Sequence, residues 1–250
     1  MGAVGIAKPP QQAVSGLGFF TIRVASLRVD TVVHFDLYVQ SDALRIPVLY
    51  RARNLPFSEE SKERLTTGGV SELFVPSEQA KEYRKYIESN LNAILADSDI
   101  PIEERSQVLH SSAAGLVRDV FREPRAGDVI RRSQTLVENA VGFAFGQKAA
   151  VEGLLRVTAT DYYTYTHCVN VFVFGISLAR RLGLDSSHAM EFGNGALLHD
   201  IGKCLIPLSV LNRPGKLTAE EWKQMQYHPV HGYNLLKSHG LKDGKIGRAH

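Results

Sequence analysis

The run Leu197-Leu198-His199-Asp200-Ile201-Gly202-Lys203 sets a histidine beside an aspartate at the end of an apolar helical stretch. Half-burying such a pair is costly, because both side chains shed water without an obvious hydrogen-bond partner. A divalent metal would offset that cost. Imidazole offers one nitrogen to one ion, whereas the neighbouring carboxylate has two oxygens and can bridge two ions. The pair therefore suggests two metals, and the fold must bring further ligands to the end of this helix.

Two other segments supply candidates. His167 lies inside the most apolar helical run of the chain, where a histidine must find a partner or be expensive. His228 stands just before Pro229, a position pushed out of α geometry, so its side chain is expected to project from a break between helices. Singly, each also reads as a hydrogen-bonded packing histidine. Together, with Lys203 one helical turn after His199, they read as a metal constellation.

Length and composition set the frame for this site. With 250 residues and 44% hydrophobic content, the chain can bury a substantial core as one large domain or two modest ones. A net charge of +3 gives no global basic field, so no nucleic-acid polymer is expected as a partner. Cys168 and Cys204 form neither a disulfide framework nor a Cys-x-x-Cys knuckle, which fits a reducing cytoplasm. No window reaches the ~20 apolar residues of a membrane span, and no signal pattern opens the chain. The expected location is cytoplasmic, away from the membrane.

Taken in order, residues 1–18 are Gly, Pro, Ala and Gln rich and read as a disordered arm. Val33, Phe35, Leu37 and Val39 then alternate with His34, Asp36, Tyr38 and Gln40, the period of a half-buried strand with His34 on its solvated face. Ile46 to Arg51 reads as a second strand and Val70 to Val75 as a third. Between them, Ser58 caps a short helix that Gly68-Gly69 stops. An amphipathic helix follows from Ser77, with Tyr83, Tyr86, Ile87, Leu91, Ile94 and Leu95 on one face. The expected fold is thus an N-terminal α+β module over 19–96 (ββαβ plus a helix), followed by an all-α bundle over 100–250.

Within the bundle the pattern predicts helices over Ile102 to Phe121, Gly127 to Phe145 and Val151 to Leu182. Another, capped by Asp185 or Ser186, carries His199 and Asp200. Thr218 and Glu221 form a capping box for a helix through Tyr227, and Pro229 fits the first position of the next. His231 could face the same cleft as His228 or simply solvent. Cys204 reads as an inert thiol, Gly215-Lys216 as a turn, and His110 and His188 as solvent-facing or cap positions.

At this point the residues carry a family resemblance. Asp161-Tyr162-Tyr163-Thr164-Tyr165-Thr166-His167-Cys168-Val169-Asn170-Val171, then LLHDIGK, Ile206-Pro207, LNRPGKLT and HPVHGYNLL, together resemble the HD-GYP branch of the HD-domain metal-dependent phosphohydrolases. The module from Phe19 to Leu95, with Phe35-Asp36-Leu37-Tyr38-Val39 and Glu72-Leu73-Phe74-Val75-Pro76, is similar to a domain that precedes bacterial HD-GYP domains.

The resemblance implies hydrolysis of cyclic di-GMP to the linear dinucleotide pGpG or GMP, in bacterial second-messenger signalling, at an iron or manganese centre. By position, His167, His199 and Asp200 would hold one metal, Asp200 would bridge, His228 would bind the second, and Lys203 would hold a phosphate oxygen. The chemistry agrees: two cations make water nucleophilic at neutral pH and neutralise charge growing on phosphorus. Tyr163 stands where three-metal relatives keep a glutamate, which favours two metals. The family continues with a His-His-Glu and a Gly-Tyr-Pro stretch, and Lys245 to His250 is unlike either, so a C-terminally incomplete HD-GYP domain is expected. The alternative is a degenerate module that binds nucleotide, or a protein partner, without turnover. A protein partner could also dock on the N-terminal module.

Overall fold

The computed structural model describes residues 18–40, 46–158 and 164–239. The chain divides into two compact units, one ending at Glu104 and the other beginning at Arg105. The expected arm over 1–18 lies, except for Gly18, outside the described residues.

In the first unit, β1 (Phe19–Arg23), β2 (Thr31–Val33), β3 (Leu37–Gln40), β4 (Pro47–Arg51) and β5 (Leu55–Phe57) precede α1 (Glu59–Thr67), β6 (Glu72–Pro76) and α2 (Ala80–Ala96). Four strands form an antiparallel sheet in the order β1-β6-β3-β4, with Phe20 opposite Val75, Tyr38 opposite Phe74 and Val39 opposite Val48. β2 and β5 pair separately. β6 is central, and its Leu73, Phe74 and Val75 are all buried, as a strand covered on both faces requires. Ser58 caps α1 by accepting from the Ser61 N–H at 3.3 Å, and Gly69, at φ 71°, turns the chain out of the helix. Tyr83 and Tyr86 of α2 pack edge-on against Phe35, with ring centroids 5.4 and 5.5 Å away.

This module is richer in strands than its sequence pattern predicts. Phe19–Arg23 forms a strand of its own, and the alternating stretch from Val33 to Gln40 is divided between two sheets. The burial alternation persists, since Val33, Phe35 and Leu37 are all fully buried. The ladder breaks at Asp36. Its N–H donates to Gln79 Oε1 at 2.6 Å, while its carboxylate accepts from Arg53 N and Gln79 Nε2, each at 2.7 Å. Partners distant in the sequence thus replace strand pairing there. His34 is exposed, with Nδ1 2.9 Å from Asn54 Oδ1.

The second unit is helical: α3 (Ile102–Arg122), α4 (Val129–Gly146), α5 (Lys148–Arg156), α6 (Thr164–Arg181), α7 (Ser186–Leu198), α8 (Leu208–Leu211), α9 (Ala219–Gln226) and α10 (His228–Ser238). A 3-10 turn over Ile201–Leu205 follows α7. The helix expected from Val151 to Leu182 is two helices, because α5 stops at the Val157 cap and α6 begins at Thr164. Gly183, at φ 72°, closes α6. Asp185 caps α7 by accepting from the His188 N–H at 2.9 Å, and Thr218 and Glu221 form the expected capping box on α9.

α7 lies close against both α4 and α6. A Cβ on Gly193 would come within 2.9 Å of Val137 Cγ1 and 3.3 Å of Ile176 Cγ2, so a glycine there permits the approach. Among the described residues, no helix is long and apolar enough to cross a membrane.

His110, expected at a solvent-facing position, is only 7% exposed, because the face of α3 that carries Leu109 and Ala113 is itself packed. Burial pushes its pKa below the usual histidine value of 6.5, and a hydrogen bond with Asn170 of α6 opposes the shift. A base with a depressed pKa in the fold favours the folded state fully above its unfolded pKa. That contribution is lost as pH falls from 6.5 towards the folded value. Urea melts at about pH 7.5 and 5.5 should therefore show a larger loss of stability in the wild type than in His110→Gln. Equal losses would place the acid sensitivity elsewhere.

Candidate metal centre

α7 ends at Leu198, and the chain passes through His199 (φ −54°, ψ −32°) and Asp200 (φ −99°, ψ 4°) into the 3-10 turn. In so tight a turn, side chains three apart eclipse. Lys203 accordingly folds back on Asp200, its Nζ 2.7 Å from Oδ2, while the Lys203 N–H donates to Asp200 O at 2.9 Å. Asp200 is only 3% exposed, and around it stand imidazoles from α6, from the end of α7 and from α10.

His199 Nε2 lies 3.4 Å from Asp200 Oδ2, and His228 Nε2 lies 3.2 Å from Oδ1. The two carboxylate oxygens are thus divided between two histidines. His167, on the exposed side of α6, sets its ring 5.3 Å from that of His199 at 71°. One potential ligand atom from each of His167, His199 and Asp200 lies within 4.8 Å of the others. The structure therefore gathers His167, His199, Asp200, Lys203 and His228 into one cluster. His167 differs from its expected setting: although α6 is apolar, this residue faces out of the helix core and needs no buried partner.

The histidines are also held in a defined orientation. His199 Nδ1 is 2.8 Å from Ala196 O, and His228 Nδ1 is 2.8 Å from Met225 O. A carbonyl accepts, so Nδ1 carries a proton in each, and the Nε2 nitrogens are the ones turned towards Asp200. Both carbonyls belong to the last turns of their helices, α7 and α9, where backbone acceptors lack intrahelical partners. The helix ends thus act as outer supports for the ligands. Sequence reasoning missed this, although a histidine directly after a helix terminus was the available signal.

Gly202 is the second residue the sequence reading passed over. A Cβ there would lie 1.9 Å from His228 O and 2.5 Å from Gly232 N, so the 3-10 turn rests backbone-to-backbone on the start of α10. That contact carries His228 to Asp200. His228 is also not in a break outside the helices, as expected, but is the first residue of α10, with Pro229 occupying an early position where its missing N–H costs nothing.

Electrostatics match the geometry. Burial works to raise the Asp200 pKa, but hydrogen bonds and charge from His199 and Lys203 outweigh it and hold the carboxyl well below the usual carboxylate range. Hydrogen bonding to Asp200 raises the His199 pKa, against the opposing effect of burial. Burial pushes the adjacent Cys168 thiol up to about 12. A carboxylate with three imidazoles presents the mixed nitrogen and oxygen donors that suit first-row divalent ions, so the residues fit a metal centre.

The remaining candidates are not among the grouped ligand atoms. His231 lines a groove with Tyr227, Cys204 is half-buried, His188 is exposed and bonded to Asp185, and Gly215 adopts φ 95° in a turn. The expectations for Tyr163 and for Lys245 to His250 lie outside the described residues.

This arrangement is that of an HD domain, named for its histidine–aspartate pair, and residues 164–249 match that family. The match covers part of the chain, and the chain as a whole is similar to a protein named as a cyclic di-GMP phosphodiesterase and to an HDG"Y"P protein of known structure. The cyclic di-GMP phosphodiesterase PA4108 of Pseudomonas aeruginosa is 31% identical over 222 residues, covering 82% of this chain. The chain spans 54% of that relative's length. The 3'3'-cGAMP-specific phosphodiesterase 2 of Vibrio cholerae is 41% identical over 80 residues, 32% of this chain and 15% of that protein. Among solved structures, Bd1817, a HDG"Y"P protein from Bdellovibrio bacteriovorus, superposes with a TM-score of 0.56 at 25% identity, covering 91% of this chain and 74% of its own.

Proposed function

We propose that this chain is a metal-dependent phosphodiesterase acting on cyclic di-GMP, yielding pGpG or GMP. The observation that carries the reading is the division of Asp200: one oxygen faces His199 and the other His228, the disposition a bridging carboxylate needs. His167, His199 and Asp200 would hold one ion, and Asp200 with His228 the second, with iron or manganese the fitting choice. The chemistry a bound pair supplies is Lewis-acid activation of water and of the phosphoryl oxygens.

The protein's own part is positioning and charge. His199 and His228, tethered through Nδ1, keep their Nε2 nitrogens directed at the centre without having to reorganise. Lys203 neutralises Asp200 in the structure described, and its ammonium is near enough to exchange that contact for a phosphate oxygen. Relatives named for cyclic di-GMP, PA4108 among them, support the substrate. Two free cysteines support a cytoplasmic setting. We assign the α+β module to 19–96 and the HD-GYP helical domain to 100–250, with the former open to a protein partner.

The 250-residue chain, expected to lack the His-His-Glu and Gly-Tyr-Pro segments, should hydrolyse cyclic di-GMP only slowly when supplied with manganese or ferrous iron, and chelation should stop it. Chromatography of the products, with 3'3'-cGAMP run in parallel, reads both turnover and preference. Binding without turnover under every metal condition would replace this reading with a nucleotide-binding module. Faster cleavage of 3'3'-cGAMP would reassign the substrate.

A further inference from the structure

A groove of about 500 Å³ lies between the end of the 3-10 turn, α9 and the start of α10. That volume lies within the usual range for small-molecule sites. Leu205, Ile206 and Pro207 form its apolar floor, and Tyr227 and His231 its aromatic wall. Their rings stand 6.3 Å apart at 44°. Glu220 and Lys223, one turn apart on α9, bring opposite charges to the rim.

The groove shares two structural elements with the metal cluster. Lys203, which contacts Asp200, and Leu205 belong to the same 3-10 turn. His228, which faces Asp200, lies between Tyr227 and His231, and three residues advance an α-helix only about 4.5 Å. The groove and the metal cluster are thus built on the same 3-10 turn and the same start of α10.

We propose that the groove is a purine-base subsite: a base attached to the phosphodiester at the metal centre enters it, packs against Tyr227 and His231, and is read as guanine by Glu220. A flat heteroaromatic ring suits an apolar floor with an aromatic wall. The edge of guanine presents adjacent N–H donors that a carboxylate can accept together, whereas adenine offers an acceptor at the ring nitrogen. Lys223, one turn along α9, suits the guanine carbonyl oxygen. This inference rests on the nucleotide reading above.

The test is calorimetric titration of the manganese-loaded full chain with cyclic di-GMP, cyclic di-AMP and inorganic phosphate. Tyr227→Ala and His231→Ala should each weaken cyclic di-GMP about tenfold, in the range that loss of one base–aromatic stack costs. Affinity for phosphate and for manganese should stay as in the wild type, which separates a lost stack from a disturbed His228. Glu220→Gln should reduce the preference for cyclic di-GMP over cyclic di-AMP by at least about tenfold, since it replaces one carboxylate acceptor by a donor. Undiminished cyclic di-GMP affinity in Tyr227→Ala and Glu220→Gln would overturn the subsite while leaving the phosphodiesterase reading intact. Failure of the wild type to bind cyclic di-GMP, with phosphate still bound, would overturn both.

Discussion

Replacing Asp200 with asparagine is expected to abolish tight metal binding and to lower cyclic di-GMP turnover by at least about a thousandfold, as loss of a group essential to a cooperating catalytic unit does. The substitution keeps the shape of the side chain but removes its charge, and it puts an NH2 where one of the two acceptor oxygens stands. His199 and His228 then lose their shared anionic partner, and Lys203 its counter-ion. Asp200 is 3% exposed, so the loss is felt in a poorly screened site. The fold should survive. Removing a buried carboxylate also removes its desolvation cost, and the loss of the Lys203 pair is tempered by that side chain's 26% exposure, so stability should shift by no more than about 2 kcal/mol. Manganese titration, turnover and circular dichroism of the same preparation separate these effects. Two tightly held ions in Asp200→Asn would show that the bridge lies elsewhere, and loss of helical signal would mean that Asp200 chiefly holds the fold.

What could be seen in the sequence, and what could not, divides along the range of the forces involved. The Thr218–Glu221 capping box, the Asp185 cap and the glycine ends of α1 and α6 depend on residues close in sequence, and the pattern of side chains suffices to find them. The adjacency of His199 and Asp200 is likewise written in the chain, as is their need for partners. Two kinds of information were not. One is competition: Asp36 sits within a clean alternation, yet Gln79, 43 residues away, supplies the hydrogen bonds that break the ladder. The other is backbone approach, since Gly202 and Gly232 look ordinary until one is placed against the other. His110 failed for a related reason: α3 buries a broader face than its apolar residues alone define, and Asn170 on another helix satisfies part of the histidine's polarity.

The backbone approach leads to the second large expected effect, that of Gly202→Ala. The added methyl would have to stand 1.9 Å from His228 O, 2.5 Å from Gly232 N and 2.9 Å from His228 C, all backbone atoms that no rotamer change can move. Either the 3-10 turn or the start of α10 must shift. The turn is anchored on one side by buried Ile201 and on the other by buried Ile206, while α10 begins at a break between helices, so α10 should yield. Overpacking of this kind costs roughly 1–3 kcal/mol, and a chemical or thermal melt should show it. The larger consequence is for the site. His228 moves away from Asp200 Oδ1, whereas His167, His199 and Oδ2 on the other side keep their places. Gly202→Ala should therefore retain one manganese ion and lose the second. Turnover should fall by at least about a hundredfold, because displacement of a ligand by even an ångström is expensive in a preorganised centre. Asp200→Asn should lose both ions, so metal stoichiometry distinguishes the two variants where activity alone would not. A Gly202→Ala chain that binds two ions with wild-type turnover would show that the contact between the turn and α10 does not set the position of His228.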